Sequence, residues 1–179
     1  MAMRRCARAK LCEPSRTLPV PNELAPRLPK VRLKKDLRRA VHEGIPWLYR
    51  DALEEPPDGR DGSVVLVVGK DKRPLGRGFF SESGPIAVRM LTTVKTDDIP
   101  MLVRQRLEEA LSLRRALFES GETTAFRWVH GEGDRLPGLH VDVYARTASV
   151  LFDGSGARAF YLGLGIPQDL LEVLSLIHI

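Results

Sequence analysis

The chain has 179 residues, room for one large domain or two small ones. Its 43% hydrophobic and 28% charged residues suit a folded globular protein, no apolar run nears the roughly 20 residues that cross a bilayer, and no secretory h-region follows the first charges. The net charge of +5 is uneven: thirteen lysines and arginines crowd the first fifty residues against four acids, an asymmetry that attracts a polyanion through phosphate contacts and counterion release.

Residues 1–29 read as a disordered, basic, Pro-rich tail, because Pro14, Pro19, Pro21, Pro26 and Pro29 forbid a regular helix. Cys6 and Cys12 both fall there, where a disulfide would brace no core; two reduced thiols in a cytoplasmic protein are expected. Val31–Leu33 suits a short strand. Asp36 to Glu43 places Leu37, Ala40 and Val41 at helical spacing, stopped by Gly44 and Pro46. Ser63–Val68 is a β-branched run, the mark of a strand buried on both faces. Leu75–Ser81 is a second strand, whose Gly76 and Gly78 suggest a bend or bulge, and Ile86–Thr92 is a third. Short strands at these intervals with one small helix predict a small barrel over 30–94.

A long helix follows, capped by Asp97 or Asp98 with Pro100 in its first turn and closed by Gly121. Its apolar stripe is predicted through Ile99, Leu102, Val103, Leu107, Ala110, Leu113 and Leu117. Alternation then returns in Phe126, Trp128 and His130 and in Leu139, Val141 and Val143, and Val150–Asp153 follows a tight turn at Arg146. These make a helix beside a meander, an α+β unit over 95–160. Residues 161–179 read as the truncated start of a further element, a helix begun at Leu170, Leu171, Val173 and Leu174.

Three constellations could carry chemistry. Asp153-Gly154-Ser155-Gly156 has the strand-acid-glycine pattern that opens nucleotide sites, but lacks a third glycine in register and reads better as a turn from strand to helix. His130, Glu132, Asp134, His140 and Asp142 offer metal-ligand chemistry, yet sit on a flexible loop and an alternating polar face; no metal and no catalytic residue is assigned. The strongest group is basic. Lys34, Lys35, Arg38 and Arg39 line one side of a short helix, and with Arg32, Arg50, Arg77 and Arg89 they could read phosphates, while Trp47 could stack on a base.

Four stretches resemble the ribosomal RNA large-subunit methyltransferase I family. They are Gly44-Ile45-Pro46-Trp47-Leu48-Tyr49-Arg50, the segments Gly76–Ser81 with Ile86–Leu91, the helix from Arg106 to Arg115, and the dense run from Phe126 to Tyr144 containing Gly131-Glu132-Gly133-Asp134-Arg135-Leu136-Pro137-Gly138-Leu139. Ile45 stands where the family usually has His. The resemblance implies an α+β chain: a PUA-like RNA-binding β-barrel over about 30–94, then an α+β linking domain of a helix and antiparallel strands over about 95–160. The family's Rossmann-like methyltransferase domain, with its S-adenosylmethionine site and cysteine nucleophile, is expected to be absent, so no cofactor is expected on this chain. The implied function is RNA recognition for cytosine-C5 methylation of large-subunit ribosomal RNA, with no activity from this chain alone. The alternative is a stand-alone PUA-type RNA-binding module. The implied partner is RNA and not a membrane; a homodimer is open.

Overall fold

The computed structural model describes residues 28–95, 98–118, 123–145 and 147–166. Cys6, Cys12, nearly all of the basic tail, Asp97, Gly121, Arg146 and the segment from Leu170 to Ile179 lie outside the described residues. Eight strands and three α-helices follow in order: β1 (Lys30–Arg32), α1 (Arg38–His42), β2 (Trp47–Tyr49), β3 (Val64–Val68), β4 (Pro74–Phe80), β5 (Ile86–Thr92), α2 (Ile99–Leu117), β6 (Ala125–His130), β7 (Leu139–Tyr144), β8 (Thr147–Phe152) and α3 (Ser155–Gly163).

The first five strands form one sheet in the order β1-β3-β4-β5-β2, with β1 parallel to β3 and the remaining pairs antiparallel. The sheet curls on itself. Beyond β2, a 3-10 turn at Arg50–Ala52 returns the chain to the opposite edge, where Leu53 bridges Leu33 and the Lys34 amide donates to the Ala52 carbonyl at 2.8 Å. The three strands predicted over 63–68, 75–81 and 86–92 are present as β3, β4 and β5, and the β4–β5 register slips between Arg77 and Gly78, where a bulge is expected. The interior is a cluster of small aliphatic and aromatic side chains including Val31, Leu33, Val65, Val67, Leu75, Phe80 and Val88.

In the second unit α2 lies on a three-stranded sheet, β6-β7-β8. Asp98 caps α2 by accepting from the Met101 amide at 2.8 Å, and proline occupies the first turn. The buried face differs from the predicted stripe at its C-terminal end. Steps of three and four from Ile99 lead through Val103, Arg106 and Leu107 to Ala110 and Leu111, leaving Leu113 and Leu117 51% and 67% exposed. Strand β7 alternates as predicted, with Leu139, Val141 and Val143 inward. Strand β6 does not: its register against β7 slips between Arg127 and Val129, so Trp128 and Val129 are both buried. Helix α3 continues past residue 160 and puts Tyr161 in the same core, its hydroxyl donating to the Pro137 carbonyl at 3.1 Å; burial pushes that phenol well above its ordinary pKa.

The two units share a side of the barrel sheet. Val64, Phe79, Arg89 and Trp47 are cross-strand partners in register and form one row through β3, β4, β5 and β2. Alternation along a strand sends neighbours to opposite faces. Phe80 therefore enters the barrel core, while Phe79 enters the second core and stacks on Phe160 with centroids 4.5 Å apart. Close approach here depends on glycine: a Cβ on Gly156 would lie 2.0 Å from Ser81 Oγ and 2.8 Å from the Phe80 carbonyl oxygen. We predict that Phe160→Ala destabilises the chain by about 3–5 kcal/mol in urea denaturation, as truncation of a packed core phenylalanine does. Melting of both units in a single transition is expected; a change below ~1 kcal/mol would show that the contact between units carries little stability.

Candidate nucleic-acid interface

The basic residues predicted around α1 converge with a second group. Asp36 accepts from the Arg38 amide at 3.2 Å and starts the short helix. Arg38 Nη2 then reaches Asp71 Oδ2 at 2.5 Å, bridging α1 to the β3–β4 turn, 33 residues away in sequence. That turn is closed by the Lys72 amide donating to the Gly69 carbonyl at 2.9 Å, with Lys72 at φ 63°. The contact sets Lys70, Lys72 and Arg73 beside the cations of α1, all three exposed. Lys34, Lys35 and Arg39 are exposed as well. Lys34 and Lys35, however, sit in the bend between Leu33 and α1 and not on one side of the helix as predicted, since the helix begins only at Arg38. Lys35 is only loosely paired with Asp51 at 3.9 Å, and Arg39 meets Glu43 at 2.7 Å one turn along. Such exposed pairs exchange readily for phosphate. The Arg73 amide and then the Arg38 guanidinium hold the Asp71 carboxyl below its ordinary pKa. The turn cations were missed in sequence; the signal was present as Lys70-Asp71-Lys72-Arg73.

The other sequence-predicted contacts are placed elsewhere. Arg32 is exposed but lines a shallow groove with Glu54, Glu55 and Asp58, which offset its charge. Arg50 donates to the Ser81 and Gly84 carbonyls at 2.7 and 3.0 Å and lies over the Phe80 ring, tying down the β4–β5 loop. Arg77 is half-buried on β4, opposite Leu66 and Thr92. Arg89 is 5% exposed: its Nη2 donates to the Asp153 carbonyl at 2.9 Å and carboxylate at 2.6 Å, and its Nη1 reaches Glu132 Oε1 at 3.4 Å. Trp47 is half-buried and donates its indole N–H to the same Glu132 oxygen at 2.8 Å. Arg89 and Trp47 thus join the two units.

The carboxylates of the Gly131–Asp134 turn are likewise engaged. Asp134 takes a bidentate pair from Arg114 at 2.6 and 2.7 Å, fixing the turn to α2, and also accepts from the His130 amide at 2.6 Å. Asp142 pairs with Arg127 across the sheet at 2.8 Å, which holds its carboxyl below and the Arg127 guanidinium above their ordinary pKa values. His130 and His140 meet edge to face, 5.8 Å between centroids. Among the described residues no group of three or more His, Cys, Asp or Glu side chains converges as a metal site would need. Gly154-Ser155-Gly156 forms the predicted passage from strand to helix, with Gly154 and Ser155 exposed and Gly156 packed against Phe80 and Ser81. No described helix is long and apolar enough to cross a membrane.

A family model described as a PUA-like domain matches residues 31–93. Ribosomal RNA large subunit methyltransferase I of Alteromonas mediterranea is 36% identical over 131 residues, covering 72% of this chain and 33% of that protein. Ribosomal RNA large subunit methyltransferase of Deinococcus radiodurans is 34% identical over 133 residues, covering 70% of this chain and 32% of its own length. The chain therefore spans about a third of the length of the curated relatives it matches. A solved putative SAM-dependent methyltransferase from Streptococcus mutans shares the fold, with a TM-score of 0.65 at 16% identity over 80% of this chain and 38% of that one. A second solved structure, of a putative methyltransferase complexed with SAH, has a TM-score of 0.66 at 16% identity over 80% of this chain and 37% of that one.

The Arg38–Asp71 bridge has a pH signature. The Asp71 carboxyl is depressed in the folded state, so its contribution to stability is present above the unfolded carboxylate value and is lost as pH falls through the folded one. Carboxyl-carbon NMR titration is expected to give a midpoint below the ordinary aspartate value and to move it upward in Arg38→Ala. An unmoved midpoint would mean that the bridge does not form in solution.

Proposed function

We propose that this chain, which resembles the ribosomal RNA large subunit methyltransferase I family over about 70% of its length and carries a PUA-like domain at residues 31–93, is the RNA-recognition part of such an enzyme. The observation that carries the reading is the basic end built by α1 and the β3–β4 turn, where Lys34, Lys35, Arg39, Lys70, Lys72 and Arg73 are exposed around the Arg38–Asp71 bridge. Phosphate oxygens are bound by such a surface as point charges, without sequence preference. Arg38 serves twice in this reading: it holds the turn in place and adds its own charge.

Methyl transfer to cytosine C5 requires a thiol and S-adenosylmethionine beside the base. The described residues include no cysteine, and this chain spans only about a third of its curated relatives' length. We therefore assign methyl transfer to the remainder of the enzyme and RNA capture to this chain, with no S-adenosylmethionine bound here. The second unit then fixes the orientation of the RNA-binding barrel through the Arg89 contacts.

A fluorescence anisotropy titration with single-stranded ribosomal RNA fragments at several salt concentrations tests this. Log Kd is expected to rise linearly with log salt, and Lys34→Ala with Lys35→Ala should shallow the slope by about 0.7 per phosphate contact removed. Absent or salt-independent binding would remove the RNA-recognition reading.

A further inference from the structure

The α1–β2 loop and the Gly131–Pro137 segment enclose a cleft of about 320 Å³ between the two units, next to the basic end but not part of it. Ile45, Pro46 and Met90 give it apolar walls, and Val94, 71% exposed, stands at its rim. Its polar lining comes from Thr92 and Thr93 and from three charged residues, Arg106, Glu132 and Arg135, linked through backbone carbonyls, with the Arg135 guanidinium also paired to Glu109. The Arg135 amide donates to the Glu132 carbonyl at 3.0 Å, and Arg106 Nη1 donates to the Arg135 carbonyl at 2.6 Å.

Two features of this lining are unusual for packing alone. Arg106 is 6% exposed, and its hydrogen bonds go to the carbonyls of Arg135 and Leu91 with no carboxylate in ion-pair contact among the described residues. Its Nε has no hydrogen-bond partner among them either. A buried guanidinium with an unpartnered Nε is costly and favours an electron-rich group nearby; burial, and then Arg135, lowers its pKa, while Tyr161 and Glu109 oppose that shift. Glu132 supplies the opposite chemistry. Trp47 and Arg89 both donate to its Oε1, which leaves Oε2 as an acceptor on a side chain 24% exposed. Apolar walls, a cationic side and a carboxylate acceptor together match a flat molecule with donors and acceptors along one edge.

We infer that this cleft receives one unstacked nucleobase of a bound RNA and reads its Watson–Crick edge, favouring guanine or cytosine; this rests on the RNA-recognition reading above. The carboxylate accepts from an exocyclic amino group, and Arg135, whose solvent-exposed guanidinium pairs with Glu109 and can exchange that partner, donates to the ring carbonyl of the same edge. Guanine and cytosine carry both groups on that edge, adenine lacks the carbonyl and uracil lacks the amino group. Continuity with the basic end supports this occupant: Val41 lines the cleft while Arg38 and Arg39, on the same helix, lie in the phosphate-binding surface.

The test measures binding of short oligouridine RNAs whose central base is uracil, adenine, cytosine or guanine. The chain is expected to bind the cytosine or guanine RNA at least about fivefold more tightly than the other two, within the range of a good base contact. Two variants should remove the preference while leaving the salt slope and the thermal midpoint unchanged. Val94→Trp blocks the mouth. Arg135→Asn removes the guanidinium, keeps the carbonyl that Arg106 uses, and suits the left-handed backbone there, φ 59°. Equal affinity for all four RNAs with the salt slope intact would overturn the base cleft and leave RNA recognition standing, as would a preference that survives both variants. No salt-dependent binding to any RNA would overturn both.

Discussion

The structure depends on one cross-strand row, Val64–Phe79–Arg89–Trp47, on the outer side of the barrel sheet. Outward positions on a small barrel normally meet water, but here they meet a second unit, and each member supplies a different contact. Val64 packs on the second core, Phe79 stacks on Phe160, Arg89 reaches Glu132 and Asp153, and Trp47 donates to Glu132. The apolar half of the row provides nonspecific burial. The polar half fixes geometry, since a buried guanidinium is tolerated only where its partners are placed correctly. Gly138, at φ 73°, shows how closely the second unit approaches: a Cβ there would lie only 3.2 Å from Arg89 Nε.

That arrangement sorts the cations of the chain into two populations. Arg89, Arg106 and Arg114 are turned inward and hold backbone carbonyls or buried carboxylates, so they act as structural cross-links between elements distant in sequence. Lys34, Lys35, Arg39, Lys70, Lys72 and Arg73 remain outside and carry the positive field. The residue types suit the division. Arginine's planar fork satisfies several acceptors at once in a buried site, whereas lysine's hydrated ammonium favours a solvated surface that meets phosphate. Because the units are joined through the row and not through the basic end, the surface proposed for RNA is not consumed by the contact between them.

Much of the architecture was legible in the sequence because local chemistry and tertiary packing agree. The β-branched run at 64–68, Pro100 after Asp98 and the alternation of Leu139, Val141 and Val143 each yield the element they suggest. The failures have identifiable causes. The three-residue β2 is too short for a period to register. A slip in the β6 register buries Trp128 and Val129 together, which strict alternation does not allow. Extending the α2 stripe through leucines leads to Leu113 and Leu117 and passes over Arg106, because hydrophobicity does not reveal an arginine that is buried by its hydrogen bonds. The site was legible to the same extent: the cluster at 34–39 is local, while its partner turn is brought in by a contact across 33 residues. Charge also puts Arg89, and base-stacking chemistry Trp47, on the RNA side, since nothing in a sequence distinguishes an exposed cation or ring from one that clamps two units.

The central claim is that RNA meets the basic end of the barrel, and backbone amide NMR during addition of single-stranded RNA tests it most directly. Shifts are expected to concentrate at residues 34–39 and 70–73, to reverse on adding salt, and to spare the outer face of the β6-β7-β8 sheet. Shifts centred on that outer face, or none at either segment, would contradict the claim.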